Sequence, residues 1–183
     1  MRKGIAIIIL FVFTSLTGKT QNKYADSIKY VLTKTTNPFE RFDLLNKLVD
    51  NVFTQGSGNI DYSSCVGMVR LAQQQDNDSM LAIAYNTVGN YFLLNNGDFS
   101  NALENFFKGI PRAEKAHDKR RLSSLYIDIA VVYYKLNNPD ELIKYVGKAK
   151  ENLPDITSPL YYFMLAQVQA YTCRYYLLKN NND

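Results

Sequence analysis

Few residues of this chain are of a type and spacing that could do chemistry. His117 is the single histidine and sits in the charged run Lys115 to Arg121. Common metal sites take three or four protein ligands, and one imidazole in a turn does not make one. Nor does His117 neighbour a serine or cysteine nucleophile with an acid to orient it, as a catalytic relay requires. Cys65 and Cys173 are the only cysteines, and they read as two separate buried thiols. Glycine-rich phosphate loops, HExxH and CxxC are absent. The expectation is a non-enzyme with no catalytic residue, no cofactor and no metal.

Binding chemistry is the remaining class, and charge narrows it. Lys115, Lys119, Arg120 and Arg121 form the densest basic cluster, but Glu114 and Asp118 interleave with them. That mixture reads as a solvated turn rather than a phosphate-binding patch. The net charge is +4, and Arg2, Lys3 and Lys19 supply three of those charges. All three lie in residues 1–20, which have the build of an export signal. Arg2-Lys3 is the positive start, Ile5 to Phe13 the apolar run, and Ser15-Leu16-Thr17 or Gly18-Lys19-Thr20 offers small residues for cleavage. Cleavage after Thr20 leaves +1, so nucleic acid is not an expected partner. The location expected is periplasmic or extracytoplasmic, with an inner-membrane anchor as the alternative.

The elements that must position any binding surface are written twice. Tyr85, Val88-Gly89 and Phe92, then Asn96-Gly97-Asp98, then Ala102, Phe106 and Gly109 make one copy. Tyr126, Ile129-Ala130 and Tyr133, then Asn137-Asn138-Pro139-Asp140, then Leu142, Val146 and Ala149 make the other, 40–41 positions later. Tyr126, Ile129, Ala130 and Tyr133 share one helix face. Gly97 ends a helix through a left-handed conformation, and Pro139 opens the next. Each unit is thus two helices and a tight turn, with Gly89 and Ala130 as the small residues where the pair closes. The first copy carries one extra residue before its turn. Most of the 14 tyrosines fall at core positions of these units.

This pattern resembles the tetratricopeptide repeat (TPR), whose signature runs aromatic, Leu-Gly, Tyr, Ala, Phe, Ala, Pro. It is similar to the longer bacterial variety of about 40 residues. The resemblance implies an all-α fold of helix-turn-helix repeats stacked in a right-handed superhelical solenoid. The divisions expected are a signal over 1–20 and an N-terminal helix or linker over 21–37. A diverged repeat over 38–78, repeats over 79–118 and 119–157, and the first helix of a fourth over 158–183 follow.

In that family the concave face binds partners. Carried over by spacing, the face is Ile83, Asn86, Asn90 and Leu93, then Ser124, Ile127, Val131 and Tyr134. Asn86 and Asn90 stand one turn apart and suit the backbone of an extended peptide. The clamp some members use for C-terminal carboxylates needs Lys or Arg here, and none of the eight is basic. The resemblance therefore implies a protein or peptide of the cell envelope as partner. Signal and repeats together resemble the periplasmic sensor region of TPR-containing histidine kinases and transcriptional regulators; a complete exported adaptor scaffolding an envelope assembly is the alternative. Leu160 to Leu178 is apolar on too many sides for a terminal helix. The chain is therefore expected to be a fragment, the sensory part of an incomplete signal-transduction protein; the alternative is that this helix pairs with another molecule, as in self-association.

Overall fold

The computed structural model of the chain describes residues 23–55 and 61–182, and every regular element among them is a helix. The export signal expected over 1–20 lies outside the described residues. Two compact units divide at Gly58 and Asn59. The first contains α1 (residues 23–34) and α2 (Pro38–Gln55). Pro38 begins α2, where its missing N–H costs nothing, and Asn37 Oδ1 accepts from the Phe39 and Glu40 amides. Arg41 Nη1 donates to the Leu32 and Thr35 carbonyls at 2.9 Å each, tying α2 to the end of α1.

The second unit contains α3 (Tyr62–Gln74), α4 (Asp78–Tyr91), α5 (Phe99–Lys115), α6 (Lys119–Lys135), α7 (Pro139–Glu151) and α8 (Tyr161–Asn182). Each packs on the next in the chain, and α6 also meets α4 and α8. One turn chemistry joins four pairs of helices. A residue with positive φ ends the leading helix: Asp76 at 45°, Gly97 at 61°, His117 at 52° and Asn137 at 53°. The next residue is Asn77, Asp98, Asp118 or Asn138, and its side chain accepts the backbone N–H three residues on. Such a side chain satisfies one of the amides that a helix start leaves open. His117 is therefore a helix terminator, holding a conformation that glycine or asparagine adopts at lower cost.

The extra residue of the first copy is absorbed by winding. Phe92–Asn96 continues α4 as one turn of π-helix before Gly97. A π-turn accommodates an additional residue without breaking the helix. Tyr91 and Phe92 there meet Tyr62 of α3, with ring centroids 4.9 and 5.8 Å away.

Small residues govern how closely the hairpins shut. A Cβ on Gly89 would overlap the Phe106 ring of α5, and one on Gly109 would stand 3.0 Å from Leu125 of α6. Phe106, Leu125, Ile129 and Leu142 are wholly buried in one continuous core that runs from α4 to α8. Tyr126 and Tyr145 are buried with them, and Tyr133 stacks on Tyr145 at 5.5 Å. Ionic contacts close the other end of the α4–α5 pair, where Asp78 meets Arg112 at 3.0 Å and Lys115 at 2.6 Å. Lys115 of the basic cluster thus serves to join α5 to α4.

Cys65 is buried, but Cys173 is exposed and both thiols are free. The expectation of two buried thiols is corrected for Cys173, because no described residue covers the outer face of α8. Burial and the nearby Asp61 push the Cys65 thiol up to about 12, leaving it unreactive.

Glycines test this packing directly. Gly89→Ala should lower stability by about 1–3 kcal/mol through overpacking against Phe106. Gly147→Ala, on the open side of α7 with nothing within 4 Å, should raise it by roughly 0.5–1 kcal/mol. Thermal unfolding of the two variants reads both signs; equal shifts would refute the account.

Candidate functional site

The densest polar cluster in the second unit joins α4 to α6. Asp128 interrupts the otherwise uncharged run from Leu122 to Tyr134. Its Oδ2 accepts from Asn86 Nδ2 at 2.7 Å and from Asn90 Nδ2 at 3.2 Å. Asn86 Oδ1 in turn accepts from Arg121 Nη1 at 3.1 Å. The two asparagines lie one turn apart on α4, so both amides reach one carboxylate. Burial raises the Asp128 carboxyl to about 6, against the downward pull of the two amides and the Arg121 charge.

The cluster opens toward α8. A cavity of about 120 Å³ lies between the first turns of α6 and α8. Arg120, Arg121, Ser124 and Gln167 give it a polar, cationic side; Leu160, Phe163 and Met164 give it an apolar one. Beyond it, Tyr134 of α6 meets Tyr171 of α8 edge to face at 6.2 Å. The Arg174 guanidinium caps both rings, 4.4 Å from Tyr171 and 5.4 Å from Tyr134, a stacked arrangement that suits a planar cation. Burial raises the Tyr171 phenol, with the Asp128 charge a smaller contributor in the same direction.

The residues expected to face a partner divide into four groups. Leu93 and Ile127 are buried in the core, at 5% and 4% exposure. Asn86, also 5% exposed, is engaged on both sides of its amide, and Asn90 shares the same carboxylate. Those two asparagines hold α4 to α6. Ser124 lines the cavity and Tyr134 stands in the aromatic group. Ile83 and Val131 are half-buried. Asp128, Arg121, Gln167, Tyr171 and Arg174 are additions from the structure. Of these Asp128 had a signal in the sequence as a lone charge in an apolar helix, and Arg121 as a member of the basic cluster that reads as a solvated turn.

Among the described residues no group of three or more His, Cys, Asp or Glu side chains is placed to hold a metal ion. His117 is exposed on the turn between α5 and α6. The arrangement offers hydrogen bonds, cationic charge and apolar contact. The chain matches no family model, no curated protein and no solved structure.

The raised carboxyl has a definite pH signature. Between pH about 4 and 6 the folded state binds more proton at Asp128 than the unfolded chain does. Its contribution to stability is therefore greatest in acid and declines as pH rises through that window. The stability of the native chain minus that of Asp128→Asn should fall by about 1–3 kcal/mol from pH 4 to pH 7. Denaturant titrations at the two pH values measure it, and a constant difference would contradict a half-buried ionising carboxyl. Asp128→Ala should cost about 1–3 kcal/mol at pH 4, because the Asn86 and Asn90 amides lose their acceptor.

Proposed function

We propose that this chain is a non-catalytic protein- or peptide-binding module of the TPR type, exported from a bacterial cell. Its hairpins stack as a short solenoid, with α4, α6 and α8 as the first helices of successive units. The observation that carries this reading is the cavity between α6 and α8. Cationic Arg120 and Arg121 stand there opposite Leu160 and Phe163, beside a framework locked by Asp128. Such a site suits a segment in which an acidic group adjoins an apolar side chain. The repeat pattern of aromatic, small and turn residues supports the TPR assignment. The apolar run Ile5 to Phe13 after Arg2-Lys3 supports export. Among the described residues no helix is long and apolar enough to cross a membrane. By its resemblance to periplasmic sensor regions, the module serves as the sensory part of a signal-transduction protein.

Site-specific photocrosslinking in the native cells tests the binding face. A photoreactive residue at Gln167 should give one discrete protein adduct in the extracytoplasmic fraction. The same residue at Gly147, on the open side of α7, should give none, and Arg120→Glu should abolish the Gln167 adduct. Equal labelling from both positions would refute the groove.

A further inference from the structure

Helix α8 is apolar on both sides. Met164 and Val168 are buried where it packs on α6 and α7. On the opposite face Tyr162, Ala166, Gln169, Cys173 and Tyr176 follow at intervals of four, three, four and three residues, all exposed. Phe163, Ala170 and Leu177 run beside them, also exposed. That alternation is the seam along which two helices meet. It contains no charge, and Tyr162, Phe163, Tyr176 and Leu177 are 66, 62, 58 and 64% exposed.

Comparison with the other helices says what kind of cover the seam needs. Tyr175 to Leu178 echoes Tyr91 to Leu94, which makes Cys173 the counterpart of Gly89. On α4 this face takes α5, with Phe106 seated on Gly89. On α6 it takes α7, where Ser123 Oγ donates to the Ala149 carbonyl and Tyr126 and Tyr133 meet Tyr145. The N-terminal end of the face is charged in both cases. Asp78 there ion-pairs with Arg112 and Lys115 of α5, and Lys119 holds the place in α6. In α8 the same end is Tyr162 and Phe163, so a hairpin partner of the α5 kind would leave two aromatic rings where its predecessors set a charge.

A second copy of α8 uses them. Side-chain size along the seam is symmetric about the midpoint between Gln169 and Ala170: large at 162 and 163, small at 166, small at 173, large at 176 and 177. An isologous pair requires this, since each copy meets its own pattern reversed. Antiparallel docking places Tyr162 and Phe163 of one copy against Tyr176 and Leu177 of the other, with Ala166 beside Cys173 at a narrow waist. No like charges meet, because Arg174 and Lys179 lie off the seam. Large apolar side chains carry roughly 150–250 Å² each, so these four at their observed exposure bury roughly 1,000 Å² over two copies, the threshold for a specific interface. We propose that α8 docks antiparallel on α8 of a second copy, making the protein a twofold dimer whose two α6–α8 cavities border the interface through Phe163. The proposal stands on the seam and not on what the cavity binds.

Sedimentation equilibrium of the full chain should give twice the chain mass. Ala166→Cys should lock that dimer covalently under mild oxidation, because the introduced thiol then faces Cys173 of the second copy. The native chain should not lock, since antiparallel pairing sets its two Cys173 residues out of register, beyond disulfide reach. Adding Cys173→Ser to Ala166→Cys should abolish the link. Tyr162→Glu with Tyr176→Glu should weaken the dimer at least about tenfold with unchanged helical circular dichroism. A monomer at about 100 µM would overturn the proposal and leave the seam to a helix other than a second α8. Oxidative linkage of the native chain through Cys173, with no gain from Ala166→Cys, would overturn it in favour of a parallel pair.

Discussion

A half-buried carboxylate bridged by two amides is the constraint around which the second unit is arranged. The amides of Asn86 and Asn90 and the Arg121 charge favour the ionised form of Asp128 against the burial that raises its carboxyl. Those donors belong to α4 and to the first turn of α6, so the two helices must hold one rotation and one register. Register in turn fixes where α5 sits, through Gly89 of α4 under Phe106 and Gly109 of α5 under Leu125 of α6. A polar link between first helices and an apolar link between hairpin partners thus specify the same geometry. Agreement between levels of that kind is how a sequence selects one packing.

The same carboxylate shapes the surface beside it. Because Asn86 faces inward to Asp128, the groove presents the neighbouring chemistry: Arg120, Ser124 and Gln167 around the cavity, and the Tyr134–Tyr171–Arg174 stack beyond. Electrostatic recognition there would be local, since the chain without its first twenty residues is nearly neutral. In the proposed reading, binding and self-association occupy adjoining faces of one helix. The inner face of α8 completes the groove, and its outer face carries the seam.

Much of the helical organisation was legible in the sequence because short-range chemistry writes it. Pro38 and Pro139 at helix starts, Gly97 at a helix end and the period-3.6 stripe from Tyr126 to Tyr133 each act within a turn or two of chain. The extra residue of the first copy was visible as a count, but its resolution as a π-turn was not. Four turns share one device, and two of its members, Asp76 and His117, announce a left-handed conformation more weakly than glycine does. Their role came from the helices they join rather than from their own preference.

The sequence by itself determined that the chain is helical, where most helices begin and end, and that small residues sit where hairpins close. Those follow from backbone conformational preference and from the spacing of apolar side chains. Only the tertiary structure decided which polar residues face each other. Asn86 and Asp128 are 42 positions apart, and no periodicity distinguishes an asparagine awaiting a ligand from one that satisfies a half-buried carboxylate. It also decided that Leu93 and Ile127 are core and that Cys173 is open to solvent. Burial depends on what the rest of the chain covers, and among the described residues no second helix lies over the outer face of α8.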